Sequence, residues 1–226
     1  LSVPSEMERG WAAVDDYIAD KLLGDDSVLA DALAANAAAA LPAIDVSPAQ
    51  GKFLYLMAKA VRANRILEVG TLGGYSTIWL ARALPADGKL ITLEIDPHHA
   101  EVARSNLDRA GVGDKVHVRT GPALQTLAAL ANEKVPPFDF VFIDADKQNN
   151  ANYVQAAIGL ARSGALIVVD NVVREGRVVD VHSEDSAVVG TRRLFDMLAQ
   201  EPRLDATAIQ TVGLKKWDGF VIAVIK

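Results

Sequence analysis

An α/β protein built on a mostly parallel sheet, with helices on both faces, is the fold this sequence predicts, and three observations predict it. From residue 65 onward, short and almost wholly apolar runs alternate with helix-length stretches, the pattern of right-handed βαβ units. Those runs lack clean polar alternation, as strands buried on both faces do. The last two runs are separated by a few residues and read as an antiparallel hairpin at the sheet edge. Residues 1–63 carry only helical periodicity and form an N-terminal helical extension packed on the core.

In chain order, Glu6 to Leu23 places Trp11, Val14, Ile18 and Leu22 at helical spacing. Gly24-Asp25-Asp26-Ser27 breaks that helix and caps the next, Val28 to Leu41. Ser47 and Pro48 start a third, with Ser as cap and Pro in the first turn, running to about Arg62. Strands follow at Arg65–Val69, Leu90–Ile95, Lys115–Thr120, Phe138–Asp144 and Ala165–Asp170. Helices lie between them at Ser76–Leu84, Pro97–Ala110, Pro122–Asn132 and Asn152–Arg162. The long polar segment Val172 to Ser186 reads equally as a solvated loop or a lid, because functional loops sit at strand ends. A helix from about Ala187 to Gln200 and strands Leu204–Val212 and Trp217–Ile225 complete the chain. Trp217 is read as packing rather than touching a ligand.

At 226 residues, half of them apolar, the chain suits one large domain over 1–226. A net charge of -6 without a Lys/Arg block excludes a general nucleic-acid binder. With no cysteine there are no disulfides, thiolate sites or Cys nucleophiles, which fits a reducing, cytoplasmic setting. Leu1 to Glu6 lacks the pattern of a leader, and no run is long enough to span a membrane.

Two strands end in oxygen ligands. Phe140-Val141-Phe142-Ile143-Asp144 runs into Ala145-Asp146-Lys147, and Leu166-Ile167-Val168-Val169-Asp170 into Asn171. In an open parallel sheet ligands bind at the carboxyl ends of strands. Asp144, Asp170 and Asn171 are therefore expected to converge as an all-oxygen cation site, one short turn from Lys147. Such ligation suits magnesium better than zinc. His98, His99, His117 and His182 have no metal-ligand spacing and are read as surface or strand residues.

The first strand leads through Glu68-Val69-Gly70-Thr71-Leu72-Gly73-Gly74 into the helix at Tyr75-Ser76. Glycines allow close backbone approach, and a helix start offers free N–H groups. The spacing is not the G-x-G-x-x-G of a dinucleotide site. Glu68 is a carboxylate expected at the site entrance, where it would repel phosphate and suit a cation such as the sulfonium of S-adenosylmethionine (SAM). Glu94, 24 residues beyond Gly70, is placed to accept from a ribose, and Gly121-Pro122-Ala123 can lie beside an adenine.

Together these residues resemble the cation-dependent O-methyltransferases, the group of catechol and caffeoyl-CoA O-methyltransferases, from about Val46 to the C-terminus. The segments that carry the likeness are Leu67-Glu68-Val69-Gly70-x-x-x-Gly74-Tyr75-Ser76, Leu93-Glu94-Ile95-Asp96, Asp144-Ala145-Asp146-Lys147 and Val169-Asp170-Asn171. The resemblance implies a Rossmann-like SAM-methyltransferase fold, a seven-stranded sheet whose last strand is reversed. It implies a divalent cation (magnesium, or manganese or calcium) on Asp144, Asp170 and Asn171. It makes Lys147 the base on the substrate hydroxyl, with Asp144 beside it. Glu68, Gly70, Thr71, Gly74, Tyr75, Ser76, Glu94, Ile95, Pro122, Ala123 and Asp144 would line the SAM pocket, with Val46 closing on it. It further implies a catechol-like acceptor and a homodimer. One departure stands out: relatives have Asn-Tyr two and three places after the lysine, whereas here Asn150 replaces the Tyr. That change is expected near the substrate mouth. The alternatives to weigh are an NAD(P)-dependent oxidoreductase, a non-catalytic SAM-binding module and a metal-independent methyltransferase.

Overall fold

A computed structural model describes residues 5–226; residues 1–4, which include most of the segment read for a leader, lie outside the described residues. Helices α1 (Glu6–Ile18), α2 (Ser27–Ala38) and α3 (Pro48–Ala60) precede the sheet. Then β1 (Arg65–Val69), α4 (Tyr75–Ala83), β2 (Lys89–Glu94), α5 (Pro97–Arg109), β3 (Val116–Thr120), α6 (Ala123–Asn132) and β4 (Phe138–Ile143) alternate. The chain closes with α7 (Asn150–Leu160), β5 (Ala161–Asp170), α8 (Ser186–Gln200), β6 (Leu204–Gly213) and β7 (Lys216–Ile225).

The seven strands run in the order β3-β2-β1-β4-β5-β7-β6. β1 to β5 are parallel, and β7 is antiparallel to both of its neighbours. The expected reversed last strand is present, inserted beside β5, while β6 takes the edge. Strand order turns back between β1 and β4, the crevice where open α/β sheets bind ligands.

Alternate residues of each central strand supply two separate cores. Leu67, Val141, Ile143, Ile167 and Val169 face α6, α7 and α8. Ile66, Phe140, Phe142, Leu166 and Val168 face the layer of α2 to α5. Both faces are covered, which is why the strands read as unbroken apolar runs.

Several boundaries shift, each for a local reason. β5 starts at Ala161 rather than 165, because Ala161 pairs with Phe138 across an irregular register. Arg162 also donates to Asp139 at 2.6 Å, and Gly164 takes φ +78° in the bend. α2 stops at Ala38 rather than Leu41 because Ala40 turns left-handed at φ +57° and buries Leu41. α1 ends in a π-helical turn over Ala19–Leu23, closed by Gly24. β3 departs from the doubly buried expectation: Val116 and Val118 pack inward while His117 is exposed, as suits an edge strand. No described helix is long and apolar enough to cross a membrane.

Candidate active site

β1 ends at a turn that no side chain but glycine permits. Gly70 takes φ +101°, and a Cβ there would meet the carbonyl oxygen of Asp144 at 2.4 Å. The end of β1 is thus pressed onto the end of β4, with the Asp144 N–H donating to the Val69 carbonyl at 2.8 Å. Gly74 takes φ +85° and leads into α4, whose first turn has no side-chain cap; its N–H groups stay available to a ligand. Glu94 braces the turn, accepting from the N–H groups of Thr71 at 3.2 Å and Leu72 at 2.7 Å. Its other oxygen accepts from Asp96 N–H at 3.0 Å. Beside it Ile95 is 70% exposed, an apolar surface with nothing of the protein over it. Pro122 and Ala123 open α6, also without a side-chain cap, after Gly121 at φ +141°. Val46 and Tyr75 are buried together in the helical layer.

Glu68 corrects the sequence reading. It is not at an entrance: its exposure is 0%, beneath the turn on the α2–α5 face of the sheet. Ser76, Thr77 and Thr92 hydroxyls donate to it at 2.6, 2.5 and 2.7 Å. Burial pushes its acid up to about 7 against the pull of those three hydroxyls. It fixes the position of Ser76 in the first turn of α4.

The second half of the site starts at β4. Lys147 donates to Asp144 Oδ1 at 2.5 Å in a pair largely withdrawn from solvent. Asp170 ends β5 at 5% exposure and accepts from the N–H of Asn171 at 2.7 Å, with Gln50 of α3 also bonded to it. Burial first, and then the charge of Asp144, hold the Asp170 acid well above the usual carboxylate range, while Lys147 opposes the shift. Asn171 sits at φ +58°, a left-handed conformation Asn tolerates. Among the described residues no three His, Cys, Asp or Glu side chains gather as a metal cage; the expected ligand set has two carboxylates and one amide. The donor set nonetheless fits a hard cation: two close, desolvated carboxylates gain most from a positive charge between them.

Asp170 and Asn171 form one wall of a cleft of about 250 Å³. Phe220, opposite Asp170 in the β5–β7 ladder, lines it with Gln50 and Phe53, and Asp15, Lys215 and Lys216 line it where the β6–β7 hairpin turns. Phe53 and Phe220 lie with ring centroids 4.8 Å apart. Sequence reasoning missed these residues, because they come from α1, α3 and the β6–β7 hairpin and share no motif.

The segment after Asn171 is not a freely solvated loop at its start. Asp218 accepts from the N–H groups of Val173 and Arg174 at 3.0 Å each, and Val172 N–H donates to the Gly219 carbonyl. Trp217 packs as expected: its ring lies over Gly176, where a Cβ would meet it at 2.6 Å, and its indole N–H donates to Gln210. The outer part, with Val179 81% exposed, is tied to α8 by the Arg177–Asp185 pair. No residue of 172–186 lines the cleft. Asn150 also corrects expectation, being 0% exposed with neither amide atom hydrogen-bonded. It lies inside the protein, not at a substrate mouth. Asp146 braces the same turn, accepting from Tyr153 O–H and from Asn149 at 2.6 Å.

A seven-stranded sheet of this order, with an open glycine turn and acids at the ends of β4 and β5, defines the class of Rossmann-like methyltransferases. The O-methyltransferase family model matches residues 20–223, and the chain belongs to that family. It is 58% identical over 213 residues to a catechol O-methyltransferase of Mycobacterium tuberculosis, covering 94% of this chain and 95% of that protein. A catechol O-methyltransferase of Niastella koreensis is 52% identical over 216 residues, covering 96% and 98%. An O-methyltransferase of Bacillus cereus, solved with S-adenosylhomocysteine, superposes with a TM-score of 0.96 at 56% identity, covering 97% of this chain and 100% of that one. TomG of Streptomyces achromogenes, solved with SAM, gives 0.94 at 45% identity over 99% and 100%. The protein is an O-methyltransferase, which removes the oxidoreductase alternative.

Proposed function

We propose that the protein methylates one hydroxyl of an aromatic vicinal diol with SAM as donor and a divalent cation, magnesium by preference, held by Asp144, Asp170 and Asn171. One observation carries the reading: Asp170, buried beside a second carboxylate, lies within the field of Asp144 and Lys147 at the wall of an aromatic-lined cleft. The names of the two catechol O-methyltransferases above support the acceptor class.

When bound, SAM supplies the methyl group from its sulfonium and departs as a neutral thioether. A divalent cation, when bound, lowers the pKa of a hydroxyl beside it. The chain does the rest. Lys147 Nζ, in its neutral amine form, would take the hydroxyl proton as the oxygen–methyl bond forms, and Asp144 Oδ1, accepting from that nitrogen, keeps it in place. Gln50 orients Asp170. The Gly70–Gly74 turn and Glu94 hold the donor, and Gly70 sets its separation from Asp144. Phe53 and Phe220 flank an aromatic ring. Positioning of this kind is worth up to roughly 7–11 kcal/mol in well-oriented systems.

The test is methyl transfer from labelled SAM to catechol, with magnesium and then with excess EDTA. Transfer that EDTA abolishes and magnesium restores is expected. Transfer that survives EDTA removes the cation from the reading, and SAM binding without transfer to any diol favours a non-catalytic module. We further propose a homodimer, supported by the exposed apolar residues Val14, Tyr17 and Leu22 on or beside α1 and Ile209 and Val212 on β6. Light scattering on the purified chain tests it.

A further inference from the structure

The cleft has two chemically different ends. At one wall are Asp170 and Asn171, and at the hairpin end are Asp15, Lys215 in the turn between β6 and β7, and Lys216 at the start of β7. Asp170 pairs with Phe220 across the β5–β7 ladder, and Lys216 pairs with Gly213 where the hairpin turns. The four residues from Phe220 to Lys216 span about 13 Å of strand, so a lysine side chain folded inward leaves room for one aromatic ring. Phe53 and Phe220 form the apolar middle that such a ring would occupy.

The acids nearby are already committed. Asp15 accepts from the Leu214 N–H at 2.7 Å, which fixes the turn. Asp218 accepts from three N–H groups, those of Val173, Arg174 and Gly219. Asp45 is held by Asn36 at 2.9 Å; Lys215 acts on it, and Lys216 on Glu8, only through the field. No hydrogen bond or salt bridge within the described residues takes up either ammonium. Two cations at one end of a cleft, in a chain of net charge -6, are a selective feature.

We propose that Lys215 and Lys216 select an acceptor that is an aromatic diol carrying an anionic substituent, such as a carboxylate, on the side of the ring away from the diol. This rests on the reading of the cleft as the acceptor site. The diol turns toward Asp170 and Asn171, and the anion turns toward the lysines. A cationic substituent in the same place meets repulsion.

The experiment compares kcat/KM for 3,4-dihydroxybenzoate, its uncharged methyl ester, and dopamine, with catechol as reference. It uses the full chain with saturating SAM and magnesium. Roughly tenfold preference for the acid over the ester, with dopamine poorest, is expected from two partly screened charge pairs, and it should shrink as salt rises. The double variant Lys215→Gln, Lys216→Gln should bring the acid-to-ester ratio close to one. Its melting temperature confirms that it is folded. Equal use of acid and ester by the wild type, or an unchanged ratio in the double variant, overturns the proposal while methyl transfer to catechol stands. No transfer to any of the four acceptors overturns the functional reading, and the proposal with it.

Discussion

Glu68 and Asp170 are both carboxylates near the C-terminal ends of sheet strands, β1 and β5, which flank β4; both are buried, and both have their acids pushed up by burial. Their surroundings differ. Glu68 is met by three hydroxyl donors, so its oxygens are satisfied by the protein itself. Asp170 has one backbone N–H, one amide and the neighbouring charge of Asp144. A buried acid with a full set of donors is architecture; one beside a second acid calls for a cation. The comparison separates a carboxylate whose partners are all hydroxyls of the protein from one that folding leaves next to a second carboxylate.

The largest expected effect falls beside the paired carboxylates. Lys147→Met should lower kcat by about 10²–10⁴, the usual worth of a general base, with SAM affinity unchanged by calorimetry. Near-normal turnover would break the assignment. Next, Asp170→Asn should weaken manganese binding, followed by its electron paramagnetic signal, by about 100-fold or more, since even outer supporting groups are worth 10–100-fold. Glu68→Gln should leave that signal alone and cost about 1–3 kcal/mol of stability in urea, the penalty of mismatching buried hydrogen bonds.

Glu68 also has a pH signature. Its folded acid is near 7, above the value of 4.5 for the free side chain. The folded state therefore holds a proton the unfolded state has lost between those values. The corresponding stability is fully present below about pH 4.5 and is lost as pH rises through about 7. Glu68→Gln should flatten this fall between pH 5 and 8; an unchanged slope would assign it to Asp170 or elsewhere. A cost of like size is expected at Gly190 of α8, where a Cβ would meet Gln148 Cα at 2.4 Å and the Lys147 carbonyl at 2.5 Å. Gly190→Ala should cost about 1–3 kcal/mol by overpacking and reduce turnover with donor affinity retained. Val179→Ser, on the exposed outer loop, should stay within about 0.5 kcal/mol.

The sheet was legible because apolar runs and glycine breaks record burial directly, and the reversed hairpin followed from two runs with a short gap. The position of Asp144, Lys147, Asp170 and Asn171 at the ends of β4 and β5 was legible too, since strand ends are local in sequence; their roles belong to the proposal. Glu68 was misplaced for a reason of parity. It shares a face with Ile66 and pairs with Thr92, which turns it under α4, and neither partner is adjacent to it in the chain. Asn150 was visible as a departure, but its burial depends on how α7 packs with α8. The cleft beside Asp170 was not legible at all: Asp15, Phe53 and Lys216 meet only after α1, α3 and the hairpin have docked.

Gly70 has a wider consequence. Because its missing side chain lets two strand ends touch, the gap between the donor turn and the acid of β4 is a ruler made of main chain. Substitution elsewhere cannot recalibrate it without parting the sheet. If the acceptor is the proposed diol, the hydroxyl that is methylated is set by how the ring is tilted from the far end, so that regiochemistry becomes adjustable at the hairpin turn while the reach of the methyl group stays constant.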